Sequence, residues 1–285
     1  MSDGNGSGTV QYKATSPVLG LTWHVSDQWN VYANQGKGFE TPTLSEAAYS
    51  TSGSTVSGAF NPSLRAATST HREIGSKWAP SSATHIAVAW FYIGTDNDIV
   101  SEISTGGKTS YVNATRTTRE GVELSARHLW GRHWKALGSL TSMRAAYDQT
   151  YTTSASGAVP AGNRLPGIPQ KQAFASLQWS QPGFGTPGKT PPTGLEVAVD
   201  WLARSEIWTN DANTFAAPGY GMLNARIKQR FQPTEKLQME AYLGVDNLSN
   251  RAWIGSVIVN QASSQFYEPG LPRSWVIGLQ TKLPL

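Results

Sequence analysis

Histidine, serine and carboxylate side chains are the groups from which a hydrolytic site is built, because it needs a nucleophile, a base and an acid that orients the base. The five histidines show no metal-ligand spacing on a predicted helix, and we interpret each as a solvated structural residue: His24, His71, His85, His128 and His133. We therefore assign no catalytic residue, no metal ligand and no cofactor. A hydrolase is the least supported alternative.

Two short polar segments could bind ions. The segment GTDND contains Asp96 and Asp98, whose carboxylates are ligands that calcium prefers, although a polar loop apex explains them as well. The segment NATRTTRE contains Arg116 and Arg119, which could contact an anion or could pair with carboxylates inside the protein. The sequence leaves both alternatives open for each segment.

Composition limits the class of protein. The 285 residues include 23 Lys and Arg against 19 Asp and Glu, and this formal charge of +4 is too small to indicate a nucleic-acid partner. The absence of cysteine excludes disulfides and thiolate metal sites. Charged residues make up 15% of the chain, which also has 28 glycines and 11 tryptophans. Ordinary soluble domains have about 25% charged residues, so the proportions favour a β-rich protein.

No part of the sequence reads as a membrane-spanning helix or a secretory signal. Such a helix needs about 20 consecutive apolar residues, and no run approaches that length. The start, MSDGNGSGTVQYK, lacks the basic and apolar regions of a signal peptide. We interpret residues 1–11 as a flexible tail and residues 12–285 as one domain.

Alternating apolar and polar residues indicate β-strands along most of this domain. We predict about eleven strands of the length that a tilted bilayer crossing requires, including LEVAVDWLAR, LNARIKQRF and LQMEAYLGVDN. The period of two also predicts that one face carries the ionisable side chains of these segments: Glu196, Asp200, Arg204, Arg226, Lys228, Arg230, Glu240 and Asp246. Such a face suits a water-filled lumen.

The connections alternate between short and long. Tight turns are predicted at 26–27, 80–83, 131–133 and 233–236, and long loops at 39–70, 95–112, 150–169, 205–218 and 249–273. The connection 181–192 is the one long member of the short class. This alternation places the tight turns at one end and the long loops at the other. Membrane β-barrels have the same asymmetry.

Tryptophan positions agree with that arrangement, because interfacial aromatic residues form belts around membrane barrels. Six tryptophans lie beside the short turns and are predicted to form one ring: Trp23, Trp29, Trp78, Trp130, Trp134 and Trp179. Trp201, Trp208 and Trp253 lie nearer the long loops and could belong to a second belt. The alternative is a soluble β-sandwich whose core is capped by tryptophan.

Five segments resemble, in order, the C-terminal half of TonB-dependent outer-membrane receptors: GKGFETPTLSEAAY, REIGSKW, NATRTTREGVEL, VDNLSNRAW and FYEPGLPRSWVIGLQTKL. The resemblance extends from about residue 12 to the end. It implies an all-β fold, a transmembrane antiparallel β-barrel, with these strands forming the C-terminal half of a barrel of about 22 strands. The segments GSVIVN, GNRLPGIP and DNDIVSE resemble most the branch of probable siderophore receptors linked to pyrroloquinoline quinone uptake.

The resemblance implies a fragment of a transporter in the outer membrane of a Gram-negative bacterium, without its plug domain. The complete protein would import a siderophore or another small anionic nutrient, energised by the TonB–ExbB–ExbD complex through the plug region. Its other partners would be outer-membrane lipid and the outer-membrane assembly machinery, with no nucleic acid. A passive outer-membrane porin is the alternative, and a missing plug in the complete gene would indicate it.

Four polar residues are left unexplained near the long-loop end. Arg164 lies in a long loop, Arg119 and Arg204 point inward, and Tyr220 begins the next strand on the same face. Arginine offers paired donors to carboxylates, and tyrosine adds an aromatic face with a hydroxyl. We predict that these residues contact an anionic aromatic ligand at the extracellular mouth. Salt bridges within the barrel or to a plug are the alternative.

Overall fold

The computed structural model describes residues 8–52, 55–153, 157–181, 193–234 and 237–282. In these residues the chain forms nineteen β-strands and one short helix. They run in the order β1 (Val18–Ser26), β2 (Trp29–Glu40), α1 (Leu44–Ala47), β3 (Ser50–Ser52), β4 (Thr55–Ser57), β5 (Ala67–Ser81), β6 (Thr84–Thr105), β7 (Lys108–Trp130), β8 (Trp134–Tyr147), β9 (Tyr151–Thr153), β10 (Gly157–Val159), β11 (Lys171–Ser180), β12 (Gly194–Arg204), β13 (Ile207–Trp208), β14 (Ala216–Ala217), β15 (Tyr220–Thr234), β16 (Leu237–Asp246), β17 (Ile254–Val257), β18 (Tyr267–Pro269) and β19 (Ser274–Lys282).

The long strands form one antiparallel sheet of eleven strands in the order β1-β2-β5-β6-β7-β8-β11-β12-β15-β16-β19. Each strand pairs with the next long strand along the chain, so the sheet is a meander of hairpins. The prediction of about eleven strands is confirmed. The sheet is open, with β1 and β19 as its edges. Among the described residues, no helix has the length and apolar character needed to cross a membrane.

The prediction of a long loop over 95–112 is wrong. Strands β6 and β7 continue through this region as a hairpin of 22 and 23 residues, and the pair Thr105 and Lys108 closes a two-residue turn. Gly106 and Gly107 have φ angles of 55° and 73°, the left-handed conformation that a type I′ hairpin turn requires at both central positions. The hairpin therefore projects beyond the other strands at the long-loop end.

The other long loops are where they were predicted, and each contains a small hairpin. The pairs β3 with β4, β9 with β10, β13 with β14 and β17 with β18 are separate two-stranded sheets. The connection 182–192, residues 235–236 of a predicted tight turn and residues 283–285 lie outside the described residues, as do residues 1–7 of the predicted tail.

Register confirms that the eight predicted ionisable side chains share one face. Directly opposite residues of an antiparallel pair point to the same side of the sheet. Glu196 is opposite Lys228, Arg230 is opposite Glu240, and Asp200 is two residues from each of its same-face neighbours on β12. Three ion pairs follow from this register: Arg226 with Asp200, Lys228 with Glu196, and Arg230 with Glu240. We call this side the polar face.

Near the tight turns the polar face lines a concave cavity of about 780 Å³. Its lining side chains include Lys77, His85, Arg127, Ser139 and Phe174, which come from four neighbouring hairpin strands and from β11. A polar, concave side agrees with a water-filled lumen, whereas a sandwich would have a dry core on one side.

The opposite face is apolar and exposed, and we call it the outer face. It carries Leu21, Ile74, Val199, Ile227 and Ile277, all of which are exposed. All six tryptophans predicted to form a ring lie on this face beside the tight turns. Trp29 is directly opposite Trp78, and Trp130, Trp134 and Trp179 are opposed in a single row. Trp201 lies on the same face nearer the long loops, while Trp208 and Trp253 lie in or beside the loop hairpins.

The buried core lies at the long-loop end instead of between two layers. Its cluster consists of Ala114, Ala145, Tyr147, Tyr151, Val159 and Leu165, which come from the ends of β7 and β8 and from the loop between β8 and β11. The sheet thus fixes the ends of the loops, and the loops pack on one another above it.

Candidate functional site at the long-loop end

A buried carboxylate joins the loops at this end. Asp211 is 1% exposed, and its Oδ1 accepts a hydrogen bond of 2.6 Å from the Tyr147 hydroxyl. Its Oδ2 accepts hydrogen bonds from the Tyr151 hydroxyl at 3.2 Å and from Asn260 Nδ2 at 2.8 Å. The Asp211 carbonyl accepts a further bond from Asn163 Nδ2 at 2.8 Å. These contacts connect the end of β8 with three successive long loops.

Asn260 extends the same network to the long hairpin. Its Nδ2 also donates to the Ser101 carbonyl at 2.7 Å, and its own carbonyl accepts from the Ser104 amide at 3.0 Å. The loop between β16 and β19 is therefore bound to β6 as well as to the Asp211 loop. Three long loops and the hairpin of β6 and β7 therefore meet around one ionisable group.

Burial raises the pKa of the Asp211 carboxyl above its usual range, while the hydrogen bonds from Tyr147, Asn260 and Tyr151 oppose this shift. Burial likewise raises the pKa of Tyr151, so its hydroxyl stays protonated and donates at neutral pH. A carboxylate held only by neutral donors pays a desolvation cost that no cation offsets. The network is consequently sensitive to the protonation of Asp211.

Arg119 is already bonded within the sheet. Its Nη2 contacts Asp98 Oδ2 at 2.9 Å, and its Nη1 donates to the Thr117 hydroxyl at 3.1 Å. The Thr117 hydroxyl donates to the same Asp98 oxygen at 2.5 Å. Arg119 is therefore placed on the polar face as predicted, with the intramolecular carboxylate partner that the alternative expected.

Arg204 and Tyr220 form the second group. They are directly opposite on β12 and β15, and the guanidinium lies 4.6 Å from the centroid of the Tyr220 ring. The Tyr220 ring also packs against Trp253, with 4.6 Å between the two ring centroids. Arg204 Nη2 donates to the Ile254 carbonyl at 2.8 Å, and its Nε is buried without a partner among the described residues. The group presents a cation and two aromatic rings together.

Arg164 bonds directly to neither group. Its amide donates to Asn213 Oδ1 at 2.7 Å, and its Nη1 donates to Gln170 Oε1 at 2.9 Å. It joins the loop after β8 to the loop after β12. Of the four predicted contact residues, Arg204 and Tyr220 are the pair in direct contact.

The predicted ion-binding segments are used by ion pairs. Arg116 contacts Asp96 at 3.0 Å and Asp148 at 3.0 Å, and Asp98 contacts Arg119. Asp96 and Asp98 thus serve different arginines. No three His, Cys, Asp or Glu side chains come together in a metal-binding arrangement in the part of the chain that is described.

The histidines do not form a triad. The nearest approach is His71 Nε2 to the Ser69 hydroxyl at 2.7 Å, and no described carboxylate bonds to His71. His128 packs edge-on against Trp130, and His133 stacks on Trp179, beside the tight turn that they flank. Both histidines therefore belong to the aromatic ring at the turn end.

The sequence and the fold lead to the same family. Residues 2–248 match the β-barrel of TonB dependent receptor-like proteins. The chain belongs to this family. TonB-dependent receptors of this kind are outer-membrane proteins of Gram-negative bacteria, and those that take up siderophores are energised by TonB.

Solved structures with a similar fold include receptors and transporters. The ferric yersiniabactin uptake receptor FyuA of Yersinia pestis is 20% identical with a TM-score of 0.67, and 93% of this chain covers 36% of the receptor. The ferric preacinetobactin receptor BauA of Acinetobacter baumannii is 18% identical with a TM-score of 0.66, covering 94% and 36%. The copper transporter OprC is 14% identical with a TM-score of 0.67, covering 94% and 39%.

The chain spans a little over a third of the length of these receptors. At such identities the likeness concerns the fold. The fold of this chain corresponds to a part of those larger proteins, whose names include both iron chelates and copper.

Proposed function

We propose that the chain is the C-terminal barrel part of an outer-membrane receptor for energy-coupled uptake of an anionic ligand, either a siderophore-like chelate or an anionic quinone. The match of the family β-barrel to residues 2–248 carries this proposal. The polar concave face supplies the lumen and the outer face supplies the lipid contact. The TonB–ExbB–ExbD complex would act through the plug domain of the complete receptor, and the outer-membrane assembly machinery would insert the barrel.

The ligand class rests on the group formed by Arg204, Tyr220 and Trp253 at the long-loop end. A guanidinium provides paired donors for a carboxylate or a catecholate, and the aromatic rings offer faces on which a planar ligand can stack. We propose Arg204 and Tyr220 as direct contacts. Arg119 and Arg164 belong to the same proposed mouth, where they orient the strand end and the loops through their existing bonds.

Ligand binding to the complete receptor polypeptide tests this proposal. The probes are pyrroloquinoline quinone and the ferric tris(catecholate) complex. Binding is measured by the quenching of tryptophan fluorescence. Arg204→Ala and Tyr220→Ala are expected to weaken binding of at least one probe by about tenfold, because each removes a charge-assisted or stacking contact. Arg119→Ala is expected to weaken it less.

Arg230→Ala is the matched control. Arg230 lies on the same polar face but near the tight turns, in an ion pair with Glu240. Equal affinity in Arg204→Ala, Tyr220→Ala and Arg230→Ala, with the barrel assembled, would refute the proposed contacts.

The coding sequence upstream of Met1 separates a receptor from a passive porin. A receptor requires an open reading frame that encodes a plug domain before this barrel segment, and we expect to find one. A complete gene without a plug-coding region would favour the porin and overturn energy-coupled uptake.

A further inference from the structure

The outer face changes from apolar to charged within one rung of the sheet. One row of directly opposed outer-face residues contains Ala33, Ile74, Trp90 and Val122. The next row toward the long loops contains Gln35, Arg72, Tyr92, Glu120 and Arg144. Along β7, Glu120 is separated from Trp130 of the turn-end ring by about 25 Å of barrel height, at ~3.3 Å per residue and a tilt of ~40°. That height equals the apolar band of a membrane barrel.

Cations dominate this boundary between β2 and β11. Lys37, Arg72 and Arg144 are exposed on the outer face in this band, with Glu120 as its carboxylate, and Lys171 is exposed one rung lower, in the row of Val122 and Ser142. None of the four cations has a hydrogen-bond or ion-pair partner for its side chain among the described residues. By contrast, Arg116, which lies two rungs nearer the long loops than Glu120 on the same face of β7, is bonded to Asp96 and Asp148. The boundary therefore has positive charge that is not neutralised.

Lys37 and Arg72 are diagonal neighbours, because Arg72 is directly opposite Gln35 and Lys37 follows two positions later on β2. Diagonal pairs are about 7–8 Å apart, so two long cationic side chains at this spacing can contact one phosphate group from both sides.

An apolar groove lies directly below Arg72. It has a volume of about 330 Å³, and its outer-face lining is Leu19, Leu21, Ala33, Ile74 and Trp90, with Gln35 and Arg72 in the row above Ala33 and Ile74. Free phosphate has no apolar part that could occupy such a groove. A lipid would place an acyl chain in it while its phosphate reaches Arg72 and Lys37.

We propose that this surface is a binding site for a phosphate-bearing anionic lipid of the outer leaflet, with the headgroup on Lys37 and Arg72 and an acyl chain in the groove. The proposal rests on the proposed outer-membrane location. Arg144 and Lys171 form a similar diagonal pair farther along the band and continue the same positive surface. Trp90 lines the groove, and its Nε1 donates to Glu120 Oε1 at 3.3 Å.

The test measures lipid binding to the complete receptor polypeptide in detergent by native mass spectrometry. The probes are phosphatidylglycerol and phosphatidylcholine with identical acyl chains. Phosphatidylglycerol is expected to bind more tightly, and Lys37→Gln with Arg72→Gln is expected to reduce its affinity by about tenfold or more. The matched control, Lys77→Gln with Arg127→Gln, removes the same charge from the polar face and is expected to change affinity by less than about twofold.

Two further variants separate the headgroup from the groove. Ile74→Trp fills the groove without changing charge and is expected to weaken binding, while Arg72→Lys keeps the cation and is expected to retain most of it. Assembly of each variant is judged by the heat-modifiable electrophoretic mobility of a folded barrel. If the double variant fails to assemble, Arg72→Gln alone is tested in its place.

Three results would overturn the site: no preference for phosphatidylglycerol, equal losses in the site and control variants, or displacement of the lipid by inorganic phosphate. The last would show a free-anion site. Absence of the folded barrel from outer membranes would contradict the proposed location instead, so the two failures are distinguishable.

Discussion

The Tyr147 hydroxyl donates a hydrogen bond of 2.6 Å to the buried carboxylate of Asp211. Tyr147 ends β8, whereas Asp211 lies in the loop after β12, so the bond holds two long loops together above the sheet. Tyr151 and Asn260 donate to the other carboxylate oxygen from two further segments. The proposed ligand contacts Arg204 and Tyr220 flank the loop that carries Asp211. The network therefore determines how rigidly the mouth is held.

Asp211→Ala is expected to loosen all of these loops. It leaves three buried donors without an acceptor, each costing about 1–3 kcal/mol, so local opening should become easier by about 3 kcal/mol or more. Asp211→Asn keeps one oxygen for Tyr151 and Asn260, and the Tyr147 hydroxyl can accept from the new amide. Its cost should be about 1 kcal/mol or less. Hydrogen exchange of the loop amides in the complete receptor measures both values.

Asp148→Ala provides the control for this prediction. Asp148 is an exposed partner of Arg116 in the same loop region, and exposed ion pairs contribute about 0–1 kcal/mol. If the loop amides exchange equally fast in Asp211→Ala and Asp148→Ala, the result would contradict a loop network centred on Asp211.

Loop stability is expected to depend on pH through Asp211. Its pKa is raised in the folded protein by burial, so the folded state holds the proton more tightly than the unfolded chain. The stabilising contribution is complete below the ordinary value of 3.8 and is lost as the pH rises through the folded pKa. Hydrogen exchange, corrected for intrinsic rates, should show the wild-type loops becoming more protected on acidification. Asp211→Asn, which mimics the protonated side chain, should lack this change; an identical pH response in the variant would exclude Asp211 as the cause.

The eleven strands and their two faces could be predicted because alternation is a local property of each strand. Segments such as LNARIKQRF show a period of two without reference to any neighbour, and bilayer and lumen impose opposite polarities on the two faces. The hairpin over 95–112 was missed because its strands stand beyond the apolar band, where both faces meet polar surroundings. Gly106 and Gly107 were the signal that could have revealed its two-residue turn.

The loop network could not be predicted in the same way. Asp211 and Asn260 are separated by 49 residues, and Tyr147 and Asp211 by 64, so no local pattern connects them. Arg204 and Tyr220 were predicted together because strand ends on one face must meet. Arg119 was placed on the correct face, yet its partner Asp98 follows Asn97, whose φ of 54° breaks the regular strand geometry. Side-chain direction after such a residue does not follow from alternation.

A charge placed on the outer face should destabilise the assembled barrel. Val199 is exposed on the outer face, and Val199→Arg is expected to cost about 2–4 kcal/mol if this position lies near the bilayer midplane. Ser176→Arg is the matched control, because Ser176 is directly opposite Asp200 on the polar face and the new cation gains a carboxylate neighbour. Denaturant unfolding of the complete receptor in lipid vesicles measures both. A larger loss for Ser176→Arg would show that the faces are assigned in reverse.

Gly75 is needed because the Tyr32 ring occupies the space that a side chain would fill. The two residues are directly opposite on β2 and β5, and a Cβ at Gly75 would collide with the Tyr32 ring. In this position the Tyr32 hydroxyl donates a hydrogen bond of 2.5 Å to Glu73 Oε1. Gly278 and Tyr242 repeat this pairing on β19 and β16.

Gly75→Ala is therefore expected to displace the Tyr32 ring and break its bond to Glu73, at a cost of about 1–3 kcal/mol in the free energy of unfolding. Gly138→Ala is the matched control, since a Cβ there would meet only the Phe174 carbonyl oxygen at 3.8 Å, and its cost should be below about 0.5 kcal/mol. The double variant Gly75→Ala with Tyr32→Phe should restore no stability if the collision is with the ring itself, whereas Gly75→Ala with Tyr32→Ser should recover part of the loss. Equal unfolding free energies for Gly75→Ala and Gly138→Ala would contradict this account of the tyrosine and glycine pair.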